Sequence, residues 1–261
     1  MLFQKGEAIN LCYALASFID APIKDKQNLL EENDPYEIEN KKENYDEENK
    51  NQSNIESQNR LKVGNVNKYG IKVPVLRKLA KEIGKNHDLA IKLWEHGFLE
   101  SKLLAIFIED SNQITEEQMD KWVNDFDSWD VVDQACINLF VKMPMAISKI
   151  PIWAKADAEF VKRTAFSLIA VIAVHDKKSE DKYFEEFFPI ILEGVNDNRN
   201  FVKKAVNWAI RSIGKKNIYL NQKAIELSYD ILKKDSKSAK WIAKGAIKEL
   251  ESEKVKSKLN K

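Results

Sequence analysis

Only two cysteines, Cys12 and Cys136, occur in 261 residues. They lie far from each other and from any histidine, so neither a disulfide scaffold nor a thiolate zinc site is supported. Two lone thiols suit a reducing compartment. The three histidines, His87, His96 and His175, stand apart without carboxylates at helical spacing, and read as surface or turn residues rather than metal ligands or bases. No metal site and no cofactor are expected. No run of about 18 apolar residues exists, so no membrane partner is expected. Residues 8–19 are moderately apolar, but Asn10 interrupts them, and they read as an amphipathic helix rather than a signal peptide. Eight glycines and six prolines leave little to break the chain, which favours helices joined by short turns.

What the chain does contain is charge, unevenly placed. The net charge of +1 hides a segment, 199–261, with 17 Lys and Arg against 6 Asp and Glu. Such asymmetry suits a polyanion partner, although a solvated helical surface would look the same by charge alone. Residues 24–60 hold eleven acidic and six basic side chains, many Asn and few apolar residues. This reads as a disordered acidic insert unable to offset its ordering entropy by burial. The expected organisation is an N-terminal helix over 1–23, the insert over 24–60, and a folded body over 61–261.

The body starts with NKYGIKVPVLRKLAKEIG, where Gly70 and Pro74 punctuate and Val75, Leu79 and Ile83 follow at spacings of four. Helical patterns then succeed one another over 88–97, 99–110, 115–126, 129–143, 144–155, 157–174, 180–195, 200–216, 221–234 and 237–250. No alternating strand pattern appears. FVKRTA at 160–165 recurs as FVKKAV at 201–206, and more loosely as WIAKGA at 241–246. A period near forty with two helices per unit marks a HEAT or armadillo array. The fold class is therefore all-α, a HEAT-like solenoid of helix pairs with a concave basic face. The repeat puts Arg163, Lys204 and Lys244 at equivalent positions, where they should form one basic row.

Two constellations carry potential chemistry. Lys204, Trp208, Arg211 and Lys215 fall at intervals of three and four on one helix face, apart from the apolar stripe Phe201, Val202, Ala205, Ala209 and Ile213. Lys237, Lys240, Lys244 and Lys248 repeat the theme on the last of these helices. Rows of cations neutralise phosphates, and an interleaved indole can stack on a base or sugar. Core packing remains the alternative for Trp208. In SWDVVDQACINLF at 128–140, Asp127 or Ser128 can cap the helix and Asp130 suits its first turn. Asp133 lies too deep to cap, and it shares a face with Trp129. A carboxylate beside an indole on an otherwise apolar helix must be solvated, paired or functional. Function and a salt bridge to a neighbouring repeat both stay open.

Across residues 69–250 the chain resembles the DNA alkylation repair (AlkD-like) HEAT-repeat DNA glycosylases. The carriers are KYGIKVPVLRKLAK, SWDVVD, FVKRTAF, NFVKKAVNWAIR and SKSAKWIAKGAIKEL, five motifs in order. The resemblance implies release of cationic alkylpurines, such as 7-methylguanine and 3-methyladenine, from double-stranded DNA by an intracellular monomer without metal or cofactor. Its compartment would be the cytoplasm or nucleoid, or the nucleus in a eukaryote. It further implies that Asp133 matches the catalytic aspartate, that Trp129 and Trp208 match two tryptophans bracketing the lesion deoxyribose, and that Arg163 matches a basic residue touching the DNA backbone. Relatives that keep the fold without glycosylase activity make a non-catalytic binder of damaged or branched DNA the second expectation. The chain departs from the family in having one expected helix and the acidic insert where a helix pair normally precedes the Tyr-Gly-Ile turn.

Overall fold

The computed structural model describes residues 52–60 and 67–260, divided into two compact units between Ile114 and Thr115. The expected helix over 1–23 and residues 24–51 of the insert lie outside the described residues.

The first unit holds α1 (Gln52–Arg60), α2 (Val73–Ile83), α3 (His87–His96) and α4 (Leu99–Ile108). Helix α1 corrects the reading of the insert, whose last nine residues are helical. Asn and Ser are poor helix formers, but tertiary contacts support this one. Asn54 Nδ2 donates to the Gly70 carbonyl at 2.8 Å, and Lys68 Nζ donates to Asn59 Oδ1 at 2.7 Å. The Tyr69–Gly70–Ile71 turn is held from the other side by Glu100 of α4. Its buried carboxylate accepts from the three backbone amides at 3.0, 2.9 and 3.1 Å. Burial pushes the Glu100 carboxyl up, while those amide donors pull it back. Pro74 opens α2, and Asn86 caps α3 by accepting from the Leu89 amide at 3.0 Å. Gly97, at φ 82°, ends α3 in a left-handed conformation that a side chain would strain. Helices α2 and α3 both pack on α4.

The second unit runs α5 (Glu116–Asn124), α6 (Trp129–Asn138), a 3₁₀ turn (Phe140–Lys142), α7 (Pro144–Ser148), α8 (Ile150–Trp153) and α9 (Glu159–His175). It continues with α10 (Asp181–Glu185), α11 (Phe187–Gly194), α12 (Asn200–Ile213), α13 (Ile218–Leu232), α14 (Lys237–Leu250) and α15 (Glu253–Leu259). Helix α6 packs on α9, α9 on α12 and α12 on α14, so the repeated motifs occupy one layer. Helices α8, α11 and α13 back α9, α12 and α14 as a second layer, the helix-pair arrangement of a HEAT-like array. The Phe160 and Phe201 rings, equivalent in the repeat, lie 5.5 Å apart. Lys203 Nζ sits 5.2 Å from the centre of the Trp241 ring, the third equivalent position.

Two expected helices are broken. The 144–155 segment divides at Lys149 and 180–195 divides at Glu186. Each contains a proline, Pro151 or Pro189, whose missing N–H cannot bond the carbonyl four residues back. The helix expected over 129–143 ends at Asn138 and yields to the 3₁₀ turn. Among the described residues there is no strand, and no helix is long and apolar enough to cross a membrane.

Candidate active site

Helix α6 starts where Ser128 Oγ accepts from the Asp130 amide at 3.3 Å, and Asp130 places its charge in the first turn. One turn further, Trp129 and Asp133 share a face and both are half-buried. Asp133 accepts three hydrogen bonds from α9. A single guanidinium nitrogen, Arg163 Nη2, bridges both carboxylate oxygens at 2.9 and 2.8 Å. Ser167 Oγ donates to Oδ1 at 3.0 Å. Arg163 and Ser167 are four residues apart, so one face of α9 presents both donors. The carboxylate side chain keeps 16% exposure against 6% for Arg163. A carboxylate has about four acceptor positions, and the open one falls on Oδ2.

Arg163 also ties the next repeat to this centre. Its Nη1 donates to the Phe201 carbonyl in the first turn of α12 at 2.7 Å. The Phe201 amide, an orphan donor at that helix start, donates to Glu159 Oε1 of α9 at 3.2 Å. Helices α6, α9 and α12 are thus locked around Asp133. Burial is the largest influence on this carboxyl and pushes its pKa above the ordinary value, while the Arg163 charge and the Arg163 and Ser167 hydrogen bonds pull it down. The same burial, with the Asp133 charge next in size, pushes the neighbouring Cys136 thiol well up, so that cysteine is inert packing.

Of the cations expected to face a polyanion, Arg163 departs most. It is 5% exposed and both its terminal nitrogens are engaged, so it does not join an exposed row with Lys204 and Lys244. The salt bridge between neighbouring repeats that the sequence left open for Asp133 is present, and Arg163 is its partner. Lys204 and Lys244 are exposed and make no ion pair among the described residues. Arg211 Nε and Lys215 Nζ both reach Glu249 of α14, at 2.9 and 2.7 Å, which partly neutralises the basic face of α12. Lys240 pairs with Asp235 at 3.1 Å in solvent, a contact of little energy. Trp208 is half-buried on that face, one turn before Arg211, beside rather than within the apolar stripe. The sequence did not single out Ser167, Glu249 or the Phe201 carbonyl. Only Ser167 had a signal, its spacing of four from Arg163. Among the described residues no group of three or more His, Cys, Asp or Glu is placed to hold a metal.

At the centre of this site is a fixed carboxylate with one open acceptor position, on the same helix face as the Trp129 indole. It suits stabilising positive charge that develops on a bound group.

Similar known proteins bear on the family and the fold. An uncharacterized protein of Listeria monocytogenes is 27% identical over 103 residues, 38% of this chain and 46% of that protein, so this chain spans less than half of its length. A second, from Listeria innocua, is 22% identical over 166 residues, 62% of this chain and 72% of that protein. A solved structure from a family described as related to the HEAT-like repeat DNA glycosylases, with affinity for branched DNA structures, shares the fold. Its TM-score is 0.57 at 17% identity, over 68% of this chain and 80% of that one. The model of the DNA alkylation repair enzyme family matches residues 44–250, most of the sequence. Five ordered motifs, a layer of repeat helices and this match lead to one assignment: the chain belongs to the DNA alkylation repair enzyme family.

Proposed function

We propose that the protein is a DNA glycosylase that hydrolyses the N-glycosidic bond of cationic alkylated purines, such as 7-methylguanine and 3-methyladenine, in duplex DNA. The observation that carries this reading is Asp133, a carboxylate fixed at 2.9 and 2.8 Å from Arg163 and 3.0 Å from Ser167, with its remaining acceptor position open. An alkylated purine already bears a positive charge and leaves with the glycosidic electron pair as a neutral base. The positive charge passes to the deoxyribose, which becomes oxocarbenium-like. A nearby carboxylate stabilises that ion and orients the water that attacks C1′, and the water's proton leaves to the carboxylate or solvent. The indole faces of Trp129 and Trp208 beside a cationic sugar would add about 0.5–2 kcal/mol each. Lys204 and Lys244, exposed and unpaired among the described residues, would meet backbone phosphates.

The test is single-turnover release of methylated base from treated duplex DNA, with enzyme in excess. Release that depends on Asp133 supports the reading. A second reading is a binder of branched or damaged DNA without chemistry. It is favoured by one observation: the Asp133 charge is already matched by Arg163 in an ion pair between repeats. Tight DNA binding by the wild type without base release would select that reading.

A further inference from the structure

The second unit has a cavity of about 460 Å³ where α9 and α12 end, lined by four lysines, Lys177, Lys215, Lys216 and Lys258, together with Ser212 and other residues. It includes none of the residues bonded to Asp133. One carboxylate, Asp181, lies in its wall and is engaged at 2.7 Å by Asn217 Nδ2. Lys216 Nζ donates to the carbonyls of Ala173 and Asp176 at 3.2 and 2.6 Å, and sits 3.9 Å from the centre of the Phe184 ring. Lys215 holds Glu249 at 2.7 Å. Lys177 and Lys258 are exposed and make no ion pair among the described residues. Glu249 and Asp181 answer part of this charge, and the unpaired Lys177 and Lys258 leave the concavity net positive. The Lys216 amine is held below its usual range first by burial and then by Lys177, against the opposite pull of Asp176 and Asp181.

The independent observation is Ser212. It is 3% exposed, lines the cavity, and its Oγ has no hydrogen-bond partner. Buried hydroxyls are normally bonded, because leaving one unpaired forfeits its hydration. A group with several acceptor oxygens and full negative charge would engage the hydroxyl and the ammonium groups together, and a phosphate has that character.

We propose that this cavity is a phosphate-binding site, separate from the Asp133 centre. It takes one phosphate group of a DNA strand, or a free phosphate where no strand is present. The strand as source rests on the function proposed above, whereas the phosphate chemistry of the cavity does not.

The experiment uses the full chain, the double variant Lys177→Gln/Lys258→Gln, and Ser212→Ala. Calorimetric titration with inorganic phosphate should show saturable binding by the wild type and about tenfold weaker binding by each variant. Ser212→Ala should melt no lower than the wild type, since the hydroxyl it loses is unbonded. Duplex binding as a function of salt identifies the source. A log–log slope reduced by about 0.9 in the lysine variant assigns the phosphate to the strand. Weakened phosphate binding with an unchanged slope assigns it to a free phosphate. Phosphate binding by a wild type that binds no DNA would retain the cavity and reject the DNA reading. Equal phosphate titrations for the wild type and both variants, or none at all, overturn the proposal.

Discussion

Asp133→Asn separates chemistry from folding. The amide keeps the size of the carboxylate, and its oxygen can still accept from Arg163 Nη2 and Ser167 Oγ, now 2.9 and 3.0 Å from Oδ1. Arg163 also keeps the Phe201 carbonyl at 2.7 Å. Burial outweighs the Arg163 charge at this carboxyl and pushes its pKa up, which means that the ionised form is held at a cost to stability. A neutral side chain relieves that cost but leaves the buried Arg163 without its counter-charge, so the variant should fold with a loss of about 3 kcal/mol, or roughly 6–12 °C in melting temperature for a chain of this size. The loss should fall on the reaction. A preorganised electrostatic contribution of about 3–4 kcal/mol corresponds to a rate reduced by roughly a hundred- to a thousandfold. DNA affinity should stay equal or rise slightly, because a carboxylate repels phosphates in the ground state. The assay is single-turnover 7-methylguanine release with enzyme in excess, alongside a binding curve on the same duplex and a thermal melt. Full activity in the variant would refute the role given to Asp133. Unfolding of the variant at the assay temperature would instead make the lost activity a consequence of the broken Arg163 pair.

The same carboxyl predicts a pH profile. Base release should rise with pH through an acid limb above the ordinary 3.8, and Ser167→Ala, which removes a hydrogen bond to the ionised form, should move that limb higher. In stability the sign reverses. A raised folded pKa favours the native state fully below 3.8, and the benefit fades as pH rises through the folded value, a dependence that Asp133→Asn should remove from thermal melts. On duplex DNA, Lys204→Gln and Lys244→Gln should each lower the log–log salt slope by about 0.9 if they neutralise phosphates, and a salt-independent affinity would reject the basic face. Gly194→Ala should destabilise by about 1–3 kcal/mol through overpacking. A Cβ there would lie 2.3 Å from Cζ of the fully buried Phe166, and an unchanged melting temperature would show that the ring moves freely.

The sequence by itself determined the helical class, the repeat and the face that Trp129 and Asp133 share, because these depend on local periodicity and short-range sterics. Ser128 was legible as a cap for the same reason, whereas Pro151 and Pro189 mark breaks that the reading of 144–155 and 180–195 as single helices passed over. The short helix Gln52–Arg60 was not legible, since its composition is poor for a helix and its support comes from Gly70 and Lys68. Tertiary structure alone decided the fate of the cations. Arg163 and Lys204 occupy equivalent repeat positions, yet one is buried and the other exposed. The repeat fixes where each side chain leaves its helix, but not what the adjacent helix offers it. Helix α6 offers Arg163 the Asp133 carboxylate, 30 residues away, together with the Phe201 carbonyl from α12. A buried guanidinium is tolerable only with such partners. Lys204 has no carboxylate to meet among the described residues, so its ammonium stays hydrated.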